Sequence, residues 1–176
     1  MQLLKKNHFE LMSLPASFQI DLSQLSRSYR ELQATVHPDR FVSRPPAERR
    51  YAMQAATQAN EAWRCLRDPV QRAVYLLRLH GVEVDETSRS GFAPDFLMQQ
   101  MVWRESLEAL RGSAGSGPAR EQLLREVQES RDQQLAVLER LIDGEQRFEA
   151  AAGPVRQLMF LERFIEQIEA EADDLA

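Results

Sequence analysis

His37-Pro38-Asp39 sets an imidazole and a carboxylate on either side of a proline, with Arg40 and Arg44 following. Proton-transfer catalysis is a poor fit, because proline holds the two side chains apart on a tight loop with no obvious nucleophile beside them. A metal site is a poor fit too, since no further ligands stand at suitable spacing. Cys65 is the only cysteine. One thiolate excludes an intramolecular disulfide framework and cannot by itself hold zinc or an iron–sulfur cluster. Two readings remain: an ordinary loop, or an exposed polar motif that another protein reads.

The choice turns on the helices either side. Asp21 caps a helix in which Leu22, Leu25, Tyr29, Leu32 and Val36 recur at intervals of 3 and 4, one buried stripe. His37-Pro38 stops it, because proline disfavours helical geometry in the residue before it. At about 100° per residue, Arg27, Arg30 and Ala34 point away from the stripe. Pro45-Pro46 then open a long return helix with Tyr51, Met53, Ala55, Ala56, Ala59, Ala62, Trp63 and Leu66. Its alanines admit a close neighbour. Together these elements present a basic strip beside an exposed His-Pro-Asp, suited to an acidic protein surface.

The remaining chain also reads as helices. Asn7 and Glu10 cap a short one to about Ser13, ended by Pro15. Asp68-Pro69 opens another that ends near Gly81. Residues 81–93 have no helical period and read as a linker. Pro94 opens a helix to about Arg111, and 112–119 form a flexible loop. A further helix runs from about Arg120 to Ile142, with Leu124, Val127, Leu135, Leu138, Leu141 and Ile142 inward. Asp143-Gly144 breaks it. After a short turn at 145–152, Gly153-Pro154 leads into a last helix ending near Ala172. The second half is thus a bundle of three antiparallel helices. Only 7 glycines and 8 prolines are present, too few for the reversals of a β-sandwich.

Charge separates the halves. Residues 1–80 hold 12 Lys/Arg against 7 Asp/Glu, whereas residues 81–176 hold 10 against 20. A sign change at mid-chain suggests two units facing two kinds of partner. The acidic half argues against nucleic acid as the partner of the whole chain. No apolar run approaches the ~18 residues of a membrane span, and the N-terminus lacks a signal-peptide core. The expectation is a soluble, cytoplasmic protein with no membrane partner.

Helical geometry marks a second site. With Trp103 at zero, Phe96, Leu107 and Leu110 fall within about 40°, a complete core stripe. Leu97, Met101 and Met98 fall at about 120°, 160° and 220°, and Val102 at about 260°. In the last helix Leu158, Leu161, Ile165 and Ile168 form the stripe, and Phe160 lies about 130° from its centre. Either the bundle is thick and buries part of a second face, or these side chains form a binding patch. Exposed apolar patches in monomers usually serve a partner, and methionines adapt to one.

YRELQATVHPDRF (29–41), in short-helix, long-helix, loop, long-helix order, resembles a J-domain. Such domains bind DnaK-like chaperones and stimulate their ATP hydrolysis through His-Pro-Asp. The resemblance implies His37, Pro38 and Asp39 as the stimulating motif, with Arg27, Arg30 and Arg40 as docking residues. Val36 stands where an aromatic residue is usual, and Thr35 where a basic one is frequent. General J-proteins continue into Gly/Phe-rich and cysteine-rich zinc regions, and neither follows here. Instead DPVQRAVYLLRLHG (68–81), FLMQQMVWRESLEAL (96–110) and RQLMFLERF (156–164) are similar to the HscB family of J-type co-chaperones in iron–sulfur cluster assembly.

That resemblance covers nearly the whole chain. It implies an all-α fold: a J-domain helical hairpin (1–80), a linker (81–93) and a C-terminal three-helix scaffold-binding domain (94–176). It places scaffold contacts at Leu97, Met98, Met101 and Phe160, with Arg104 and Glu105 at the polar rim. Val102 stands where relatives often carry an acid. The implied partners are an HscA-type, DnaK-like chaperone and an IscU-type scaffold, with no cofactor, no metal and no catalysis by the chain itself. A J-domain adaptor for an unrelated client is the alternative. His8 and His80 read as surface or helix-end residues, Cys65 as a small packed residue, and EAEADDLA (169–176) as a solvated, fraying helix end.

Overall fold

The computed structural model describes residues 3–85, 92–111 and 117–173. Their regular elements are all helical: a short turn at Leu3–Lys5, α1 (His8–Leu11), α2 (Leu22–Val36), a turn at Pro38–Phe41, α3 (Pro46–Arg67), α4 (Pro69–Leu79), α5 (Pro94–Leu110), α6 (Gly117–Glu139) with a π-helical turn at Arg140–Gly144, and α7 (Phe148–Asp173). Contacts divide the chain into Met1–Leu79 and His80–Ala176. Residues 86–91 of the expected linker, 112–116 of the expected loop and 174–176 of the acidic tail lie outside the described residues.

Local chemistry starts and stops the first helices. The Asn7 carboxamide accepts from Glu10 N–H at 2.9 Å and the Glu10 carboxylate accepts from Asn7 N–H at 2.9 Å, a complete capping box. Asp21 Oδ1 accepts from Ser23 and Gln24 N–H at 2.8 and 3.1 Å and starts α2. Asp68 Oδ1 accepts from Gln71 N–H at 2.9 Å at the head of α4. Beyond α4, Gly81 adopts φ +78°, a left-handed conformation that costs glycine little.

α2 and α3 form an antiparallel hairpin. Tyr29 stacks on Trp63 with ring centroids 5.2 Å apart. The Tyr29 hydroxyl donates to Asn60 Oδ1 at 2.8 Å, and Gln33 donates to the same oxygen. Partners thus run backwards along α3. Ala52, Ala55, Ala59, Ala62 and Leu66 form its buried stripe, and the methyl-sized side chains permit the close approach. The expected stripe of α2 is trimmed at its start, where Leu22 is exposed. With Tyr29 opposite Trp63, Leu22 lies about two turns beyond that contact, where α3 ends at Arg67.

Two polar side chains pack into the first unit. Arg72 is buried, and its guanidinium donates to the Phe18 carbonyl at 2.7 Å and to the Leu66 carbonyl. His8 opens α1, the helix-end position read from sequence; it is half-buried and stacks on Tyr75 at 4.3 Å. Burial, reinforced by Arg78, holds its pKa below the ordinary 6.5. Cys65 is half-buried, and burial pushes its thiol up to about 11, an inert packed thiol as expected.

In the second unit Trp103 and Leu107 of α5, Leu123 and Val127 of α6, and Leu161, Phe164, Ile165 and Ile168 of α7 form one buried cluster. Arg131 of α6 donates to Glu162 of α7 at 2.7 Å, and Arg111 after α5 pairs with Glu171 at 2.8 Å. Two expected boundaries move. α6 begins at Gly117, because Pro118 is tolerated in a first turn whose N–H groups have no helical partner. α7 begins at Phe148 and runs through Gly153-Pro154 without a break. Ala151, Val155 and Leu158 lie fully buried on either side of that proline, so burial of a continuous face outweighs the one backbone hydrogen bond it removes. His80 is exposed, and its ring lies flat on Phe148 with centroids 3.6 Å apart.

Candidate protein-binding sites

The first candidate site lies where α2 ends. Val36 is buried and anchors the last turn, and Pro38 opens the tight turn that follows. The His37 and Asp39 side chains are 53% and 84% exposed, with Nδ1 of His37 3.6 Å from the Asp39 carboxylate. The Asp39 backbone N–H donates to that same nitrogen at 3.4 Å, so the two residues hold each other locally. Arg40 turns back and donates to the Ala34 carbonyl at 2.6 Å. Its cation thus satisfies an orphan carbonyl at the negative end of α2.

Arg27 and Arg30 are exposed on α2. Arg27 makes a long, exposed pair with Asp21 at 3.8 Å, and Arg30 donates to the Ser26 carbonyl one turn back. Such pairs contribute little and exchange easily for a partner's carboxylates. The arrangement is a charged loop and helix face open to solvent. It is suited to docking.

The second candidate site is the outward face of α5. Leu97 is 36% exposed, Met98 60%, Met101 63% and Val102 53%. The core is complete without them, because Trp103 and Leu107 fill the opposite side of the helix. Arg104 and Glu105 are exposed at the margin.

Phe160 departs from its expected place off the core. It is half-buried, stacks on Phe164 at 5.6 Å and meets Phe96 edge-on at 5.9 Å. Helical angle alone missed this, because Phe96 reaches across from α5 to meet it. The Arg104 guanidinium lies over the Phe160 ring at 5.5 Å. Phe160 is therefore both the edge of the core and the floor beside the exposed face.

Comparison with known proteins shows which family the chain belongs to. Residues 92–169, which span α5 to α7, match the family model described as the HSCB C-terminal oligomerisation domain. The co-chaperone protein HscB homolog of Burkholderia multivorans is 45% identical over 172 residues, covering 98% of this chain and 97% of that protein. The chain belongs to the HscB family of co-chaperones.

Solved HscB structures agree with its fold. Chaperone HscB from Vibrio cholerae superposes with a TM-score of 0.86 at 36% identity, covering 97% of this chain and 100% of that one. The human co-chaperone HscB superposes at 0.87 with 27% identity over 95% and 82%. The architecture is accordingly that of the HscB family, a J-domain and a helical C-terminal bundle. Its role is that of a co-chaperone to an Hsp70-type chaperone in iron–sulfur cluster assembly. Within the HscB frame, Val102 extends the apolar face of α5 beyond the contact set read from sequence. Its angle of about 260° from Trp103 was the available signal.

Proposed function

We propose that the two exposed faces divide the co-chaperone's work between two proteins. The His37-Pro38-Asp39 loop, with Arg27, Arg30 and Arg40, docks an HscA-type, DnaK-like ATPase and stimulates its hydrolysis. The outward face of α5, with Phe160, Arg104 and Glu105, binds an IscU-type iron–sulfur scaffold and presents it as client. Residues 1–80 act as the J-domain, 81–93 as the tether and 94–176 as the client-binding domain. The tether raises the effective concentration of client at the chaperone without contacts of its own. The chain has no catalytic role or resident cofactor in this reading, and it works in the cytoplasm.

One observation carries the proposal. α5 keeps Leu97, Met98 and Met101 in water although its core stripe is already complete. Folding gains little from such a face, so binding is its best use. The experiment is single-turnover ATP hydrolysis by the chaperone, alone, with this protein, and with this protein plus scaffold. Stimulation by the protein and a further increase with scaffold are expected. Stimulation without any scaffold effect overturns the client half, and no stimulation overturns the chaperone half.

A further inference from the structure

We propose that Met98 and Met101 form an oxidation-sensitive switch on the client-binding face: a peroxide converts both thioethers to sulfoxides and releases the client. The inference rests on the reading of α5 as the client-binding face. Both sulfurs belong to side chains that are 60% and 63% exposed. They stand three positions apart, about 60° from one another on the helix, at the centre of the apolar face. Met12 and Met159 are buried in the two cores. Met53 is as exposed as the pair, at 61%, but belongs to α3 in the other unit. Of the described methionines open to solvent, two of three sit where a partner would have to be dehydrated.

The chemistry balances with a peroxide as the oxidant. A sulfur lone pair attacks one peroxide oxygen, an S–O bond forms and the O–O bond breaks. The displaced oxygen leaves as water after proton transfer. Each sulfur loses two electrons and the peroxide gains them. The half-buried Cys65 does not compete, because its thiol, pushed up to about 11, stays protonated at neutral pH. A sulfoxide replaces a soft apolar atom with a strong dipole that an apolar partner cannot pair. Each should weaken binding on the order of tenfold, and both together on the order of a hundredfold. Exposure also leaves both sulfoxides open to reductases, so the change is reversible. By linkage, bound client should shield both sulfurs.

The test oxidises the full chain with hydrogen peroxide, removes the oxidant and locates sulfoxides by peptide mass spectrometry. Binding to an untreated IscU-type scaffold is then measured by calorimetry. Met98, Met101 and Met53 are expected to oxidise before Met12 and Met159. Affinity should fall on the order of a hundredfold and return after methionine sulfoxide reductase treatment. M53L should show the same loss as wild type. M98L/M101L, compared with its own untreated sample, should show none. Full affinity in protein oxidised at both positions overturns the switch, as does an equal loss in M98L/M101L. An untreated chain that does not bind scaffold overturns the client reading and the switch with it, and that is known before any peroxide is added.

Discussion

Truncating Met98 and Met101 to alanine separates binding from folding. A whole Leu or Met side chain gains ~2 kcal/mol on leaving water. On that scale the exposed 60% of Met98 and 63% of Met101 hold ~1.2 and ~1.3 kcal/mol in reserve for a partner. Losing both should raise the scaffold Kd on the order of fiftyfold, allowing for imperfect additivity. The stability cost should stay well below the ~2–5 kcal/mol of a core truncation, and alanine's helix propensity offsets part of it. Phe160→Ala is the contrast. It removes contacts with Phe164, Phe96 and Arg104 at once, so it should lower the melting temperature as well as binding. Calorimetry and a thermal melt on both variants decide the matter. If M98A/M101A binds scaffold within about threefold of wild type, the outward face of α5 is not the client site. If it melts far below wild type, the two side chains belong to a core and the exposure argument fails.

His37→Gln and Asp39→Ala should each abolish stimulation of the chaperone ATPase with unchanged circular dichroism, since both side chains are exposed and add nothing to a core; retained stimulation in either refutes the loop's role. Chaperone docking through Arg27, Arg30 and Arg40 should weaken steeply between low and high salt, whereas scaffold binding should change little, because screening over ~8 Å acts on exposed charges and hardly on apolar burial. Equal salt slopes for the two complexes count against two chemically different faces. The pKa of His8 lies below its ordinary 6.5 when folded, so the unfolded chain binds the extra proton first as pH falls. Its contribution to stability is complete above pH 6.5 and declines as pH drops through that value toward the folded pKa. Melts at pH 7.5 and 5.5, roughly one unit either side of the reference pKa, should show a smaller acid loss for His8→Phe than for wild type.

Much of this protein is local, and local chemistry is legible in sequence. The capping residues Asn7, Asp21 and Asp68 start their helices because each cap needs only its own side chain and N–H groups two or three residues ahead. The alanine stripe of α3 and the Leu158–Ile168 stripe of α7 follow from a period of about 3.6 residues. The outward position of Leu97, Met98 and Met101 followed from the same arithmetic. So did the exposure of Arg27 and Arg30.

Other features depend on what arrives from elsewhere in the chain. Leu22 belongs to the stripe by period but is exposed, because α3 stops before it can be covered. Phe160 lies off its stripe by angle, yet Phe96 and Arg104 from α5 close over it. Pro154 reads as a helix start, and only the burial of Ala151 ahead of it carries α7 back to Phe148. Arg72 is buried because the Phe18 and Leu66 carbonyls converge on its guanidinium. His8 reads as a surface or helix-end residue and does open α1, but that Tyr75 covers its ring is visible only in the fold. Periodicity and capping say which way a side chain leaves its own helix, and the sequence determined that much here. Whether anything meets it there depends on where neighbouring helices end and how far their side chains reach, and only the tertiary structure decided that.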